Sequence, residues 1–146
     1  MDLFVDFANA IAGGLSIPPA SKTANTNGTA IDMINGDVRS HAIVNLGALA
    51  DNAVFSVQIQ GTNNSDVTNA TFANLADAGA ASGNLNTANA MTTLSFQREY
   101  RYLRARAVLE SGGANAAALI GVVILTQKKM MPSGATYPGY DRSPST

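Results

Sequence analysis

Ala53-Val54-Phe55-Ser56-Val57-Gln58-Ile59-Gln60 is the stretch that decides the fold. Ala53, Phe55, Val57 and Ile59 fall on one side of an extended chain, and Ser56, Gln58 and Gln60 on the other. A period of two with β-branched and aromatic residues is the pattern of a strand with one buried and one wetter face. The stretch from Tyr100 repeats it. Leu103, Ala105, Ala107 and Leu109 form an inner set, and Tyr102, Arg104, Arg106, Val108 and Glu110 an outer set, before Ser111-Gly112-Gly113 supplies a turn. The run Ala116 to Thr126 is apolar on both sides, with Leu119, Val123 and Leu125 against Ile120, Val122 and Ile124. In an antiparallel protein such a strand is either central in a sandwich or covered by another subunit.

Working outward, strands are expected over 21–25, 29–34, 41–48, 53–61, 70–75, 90–97, 100–110 and 116–127, separated by Gly/Asn/Asp clusters. This spacing predicts an all-β chain, an antiparallel β-sandwich of jelly-roll type with about eight strands. Residues 76–89, small and polar, read as a long loop of the functional or flexible kind. Residues 1–20 read as an N-terminal arm. Leu3, Phe4, Phe7 and Ile11 fit one short helical face, and Gly13-Gly14 and Pro18-Pro19 would end it. Residues 21–129 form the jelly-roll domain, and residues 130–146 an extended C-terminal tail rich in Pro and Gly.

Composition narrows function. Nine Lys and Arg against ten Asp and Glu give a net charge of −1, and only 13% of residues are charged. That density argues against nucleic-acid binding, which needs basic patches on phosphates. It leaves a surface of Asn, Thr, Ser, Gly and Ala, which is cheap to desolvate in protein–protein contacts. With no cysteine, disulfides, thiolate nucleophiles and cysteine-ligated metals are excluded. No apolar run approaches the ~20 residues of a membrane helix. Asp2 and Asp6 stand where the positive n-region of a signal peptide would lie, so synthesis in the cytoplasm without general export is expected. The N-x-S/T triplets at Asn27, Asn63 and Asn69 read as chance matches in an Asn-rich chain.

No catalytic pattern emerges. His41 is the single histidine, with no nucleophile-elbow motif near it. Glu99 and Glu110, the two glutamates, would lie some ~35 Å apart on one strand, too far to flank a glycosidic bond. The polar loop 62–69 lacks the spacing of a calcium-binding loop. The expectation is a non-enzyme with no cofactor and no metal. The one charge cluster, Arg98 to Arg106, interleaves Arg with Tyr100 and Tyr102, residue types enriched at protein interfaces. Arg101 falls on the face opposite Arg104 and Arg106, which splits the patch and weakens a nucleic-acid reading. Tyr102, Arg104 and Arg106 are therefore candidate interface residues. Leu3, Phe4 and Phe7 of the arm join them, as do Met130, Met131, Tyr137 and Tyr140 of the tail. Stretched out, the 17-residue tail could span up to ~55 Å.

The string Tyr100-Arg101-Tyr102-Leu103-Arg104-Ala105-Arg106-Ala107-Val108-Leu109, a Gly turn and an Ala/Val/Leu-rich last strand resemble the closing hairpin of small jelly-roll cement or decoration proteins of tailed bacteriophage capsids. Ala24-Asn25-Thr26-Asn27-Gly28-Thr29-Ala30-Ile31-Asp32 is similar to their opening strand, and Phe55-Ser56-Val57-Gln58-Ile59-Gln60-Gly61-Thr62 to their central one. The likeness is one of strand pattern over residues 21–129 and brings no catalytic residue with it. It implies a virion structural protein on the capsid surface, whose partners are the major capsid protein of the shell and further copies of itself, as a dimer or trimer. Other readings are a tail or fibre component, or a carbohydrate-binding module, for which only Tyr100, Tyr102, Tyr137 and Tyr140 could supply sugar-stacking rings.

Overall fold

Alternating β-branched, aromatic and polar residues build two antiparallel sheets in a computed structural model that describes residues 11–128. The strands are β1 (Ile11–Lys22), β2 (Thr26–Asn27), β3 (Ile31–Asp32), β4 (Gly36–Ala50), β5 (Val54–Thr62), β6 (Ala73–Asn74), β7 (Ala90–Gln97), β8 (Tyr102–Ser111) and β9 (Ala117–Lys128), with one 3-10 turn at Ala78–Ala80. One sheet runs β1-β9-β4-β7. The other runs β2-β8-β5-β6, with β3 also on β8. When β2 and β3 are taken as halves of one broken strand, the first strand pairs with the last, the second with the seventh, the third with the sixth and the fourth with the fifth. That is a long hairpin rolled into a sandwich, the jelly roll expected from the sequence.

Three local expectations need correction. Residues 11–20 are not part of a detached arm, nor helical: they form most of β1, paired along β9 from Ile11↔Gln127 to Lys22↔Ala118. Pro18-Pro19 is tolerated because β1 is an edge strand and its register shifts between Ile17 and Ala20. Strands β8 and β9 are not a hairpin. They belong to opposite sheets, and Gly112-Gly113 turns the corner between them. The 76–89 stretch is a strap rather than a free loop. Leu75 donates to the Ile59 carbonyl (3.2 Å), Ser82 to that of Val57 (2.9 Å), and Leu85 exchanges two hydrogen bonds with Phe55, which covers the outer edge of β5. The remaining arm and tail, with Leu3, Phe4, Phe7, Met130, Met131, Tyr137 and Tyr140, lie outside the described residues.

The inner faces interdigitate as the alternation requires. Phe55, Val57 and Ile59 of β5 and Leu103, Ala105 and Ala107 of β8 pack against Ala42, Val44 and Leu46 of β4, Phe96 of β7 and Ile120, Val122 and Ile124 of β9. The sheets are also pinned at a corner. At the β1 bulge, the buried Ser16 hydroxyl donates to the Thr29 carbonyl (2.9 Å) and accepts from the Ala105 N–H (2.8 Å) of the opposite sheet. The Ser16 carbonyl accepts from the Thr29 N–H (2.7 Å), while Gly28 donates to Ala105 (2.7 Å). This intrusion is why the second strand breaks into β2 and β3. Residue 28 must be glycine, because a Cβ there would overlap the Ser16 hydroxyl.

Two buried serines should respond oppositely to removal of their hydroxyls. Ser16→Ala leaves the Ala105 N–H and Thr29 carbonyl unpartnered and should cost about 2 kcal/mol in urea unfolding. Ser40, fully buried on the inner face of β4, has no partner for its hydroxyl among the described residues. Ser40→Ala should therefore raise stability, by about 1 kcal/mol.

Candidate interaction faces

The two outer faces of the sandwich differ in chemistry. On the four-stranded sheet, register places Leu15, Val123, Ile43 and Thr93 in one row, and Gly13, Leu125, His41 and Ser95 in the next. A third row holds Gly121, Asn45 and Met91, with Pro19 lying over Gly121, and Leu119 packs over Gly47. Leu15 is 47% exposed, Leu119 43% and Met91 71%, and Val123, Ile43 and Leu125 are half-buried. No carboxylate, lysine or arginine stands in these rows. Arg39, in register with Gln97, closes the face at one end. Contiguous exposed apolar side chains of this kind are the type of surface found at protein, membrane and ligand contacts. The two-sided apolarity of β9 carried the signal in the sequence. The structure makes β9 both central in its sheet and open on its outer side.

The outer face of the other sheet is polar. Tyr102, Arg104 and Arg106 of β8 lie there together, as their alternation required, beside Gln58 and Gln60 of β5. Arg104 donates from Nε (3.1 Å) and Nη2 (3.0 Å) to the Gln60 Oε1, and its guanidinium stacks 4.0 Å from the Phe72 ring centroid. Gln60 passes its own amide to the Asn74 side chain (2.9 Å). Gln60, Phe72 and Asn74 are supporting residues that only the fold brings together, since β6 is a two-residue strand with no sequence pattern of its own. Burial lowers the Arg104 pKa, and Arg106 lowers it further.

The other two arginines of the cluster serve structure. Arg98 donates to the carbonyls of Gly36 (2.7 Å), Asp37 (2.9 Å) and Tyr100 (3.1 Å), tying the entrances of β4 and β8 together. Arg101 makes a two-pronged ion pair with Asp32 (2.9 and 2.7 Å) and lies 4.9 Å from the Tyr102 ring centroid.

His41 is exposed on the apolar face, away from any carboxylate row. Glu110 accepts from the Ser56 hydroxyl. The 62–69 loop uses its oxygens on itself: Thr62 caps the Asn64 N–H, Asn64 that of Asp66, and Asp66 accepts from the Asn69 amide. The Asn63 side-chain Oδ1 instead accepts from the Arg101 backbone N–H (2.8 Å). Among the described residues no group of three or more His, Asp or Glu side chains is set to hold a metal ion. An open cleft of about 370 Å³ lies between β4, β7 and the 82–87 strap, floored by Val44, Leu46 and Leu85 and rimmed by Asn84 and Asn86. No titratable side chain lines it. No family model, curated protein or solved structure matches the chain.

Two carboxylates fasten loops and should give the fold an acid limb. The hydrogen bond from Arg101 holds the Asp32 carboxyl below its usual 3.8, and the backbone N–H groups of Gln97 and Gly79 do the same for Asp77. A pKa depressed by folding stabilises the native state at pH values above the unfolded value, and that stabilisation is lost as pH falls through the folded one. The melting temperature should therefore hold from neutral pH down to about 4 and fall below it. Asp77→Asn should flatten part of that limb in a pH series of thermal melts.

Proposed function

We propose that this chain is a non-enzymatic structural protein of a bacteriophage virion, a cement or decoration protein that binds and stabilises the shell of major capsid protein. The observation that carries the reading is the uncharged apolar outer face of the four-stranded sheet, with Leu15, Leu119 and Met91 left open on a rigid jelly roll. Jelly rolls recur in viral capsid proteins. The low charge of the chain suits large contacts, and the strand pattern resembles that of capsid decoration proteins. The apolar face also serves contacts between copies, which dock on the shell as a dimer or trimer. A face without charges suits symmetric contacts, since like charges meeting across a symmetry axis would repel.

Co-sedimentation of the purified chain with shells of major capsid protein lacking it should be saturable, and antibody against the chain should label the capsid surface of virions. Labelling confined to the tail or fibres, or reproducible hits on a glycan array without shell binding, would overturn the proposal. Leu119→Asp should shift the dimer or trimer to monomer in light scattering at micromolar concentration while leaving the melting temperature within a few degrees, because Leu119 is already open to water.

A further inference from the structure

The cluster of four arginines in the sequence resolves into two whose charge is taken up by carbonyls or a carboxylate and two that face no counter-ion among the described residues. Arg98 is held by three backbone carbonyls and Arg101 by Asp32. Arg104 and Arg106 remain side by side on the outer face of the five-stranded sheet, two residues apart on β8 and so about 7 Å from each other. Among the described residues the only ion pair is that of Arg101 with Asp32, so neither Arg104 nor Arg106 has a counter-ion. Their neighbours in register are neutral: Gln60 and Asn74 beside Arg104, Gln58 and Asn27 beside Arg106.

Arg104 is also prearranged. The Gln60 carbonyl oxygen fixes one side of the guanidinium and Phe72 lies against its plane, which leaves Nη1 without a protein partner among the described residues. A planar guanidinium locked in this way loses little freedom on gripping a carboxylate. Side chains at alternate positions of an extended peptide are likewise about 7 Å apart.

We propose that Arg104 and Arg106 form a docking site for an acidic segment of a partner protein, an extended stretch with carboxylates at alternate positions, one for each guanidinium. The exposed Asn74 amide beside Arg104 supplies a hydrogen bond to the backbone between them, while Gln60 lies buried beneath, spent on Arg104 and Asn74. A polynucleotide fits less well. Two cations neutralise few phosphates, and the net charge of −1 adds no attraction around them. Within the function proposed above, the acidic segment belongs to the shell protein, but the site itself is testable without it.

The test is a titration of the full chain, read by NMR at the arginine Nε groups. The probes are a synthetic peptide with aspartate at alternate positions, the same peptide with asparagine in their place, inorganic phosphate and a single-stranded oligonucleotide. The aspartate peptide should shift the Arg104 and Arg106 signals in a saturable way, with affinity falling as salt rises. Arg106→Gln, which removes no side-chain hydrogen bond or ion pair among the described residues, should weaken it about tenfold, the loss expected for one charge-assisted pair. Equal binding of the asparagine peptide, unchanged binding by Arg106→Gln, or equal or stronger binding of phosphate or the oligonucleotide would each overturn the site. Shell co-sedimentation run beside it separates the two readings. Peptide binding without shell binding sinks the capsid function and leaves the site standing. Shell binding by the chain that fails to bind the aspartate peptide does the reverse.

Discussion

The hydroxyl of Ser16 sits between two sheets and bonds to one of them while its own backbone belongs to the other. A rolled hairpin needs such corners. Most consecutive strands in this chain lie in opposite sheets, so hairpin ladders alone would join little of it. The β1 bulge answers the need by lending a side chain and a carbonyl to the opposite sheet at the point where the second strand is interrupted. The turn at Asp51-Asn52 does similar work at another corner. Both residues adopt positive φ, and the Asp51 carboxylate accepts from the Asn115 N–H (2.8 Å), tying the β4–β5 corner to the β8–β9 corner. Once the corners are held, the core packs as two facing rows of alternate residues, and what each sheet turns outward is free to differ.

That freedom shows in the chemistry of the two outer faces. One outer face is apolar and uncharged, the other carries an arginine pair in a frame of amides. Such a division suits a module with two unlike neighbours, one met through burial of apolar area and the other through charge and hydrogen bonds. Apolar contact provides area without directional demand, whereas a stacked and hydrogen-bonded guanidinium provides register. Two of the edges are blunted: Pro18-Pro19 interrupts β1, and Leu75, Ser82 and Leu85 hydrogen-bond along the outer edge of β5.

What could be read from the residues was whatever repeats locally. The period of two in Phe55-Val57-Ile59 and Leu103-Ala105-Ala107 announces strand, inner face and outer face at once, because side-chain direction in a strand depends on φ and ψ alone. The pairing of Tyr102, Arg104 and Arg106 on one side followed for the same reason. The strand in residues 11–20 was hidden because Gly and Pro weigh as breakers in any local reading. They cease to break an edge strand whose ladder has bulges. The strap over β5 was hidden because small polar residues carry no period, and hydrogen bonds to a distant strand leave no trace in their order.

The sequence by itself determined the class of fold and the outward direction of its candidate arginines, since alternation of apolar and polar side chains is a property of neighbouring residues. Only the tertiary structure decided which arginines remain open, because the partners of Arg98 and Arg101 lie 62 and 69 residues away in the chain. It alone also decided that β8 and β9 part into different sheets and that Ser16 joins them. Contacts of that span arise when the whole roll closes, and no local pattern encodes where a rolled chain will meet itself.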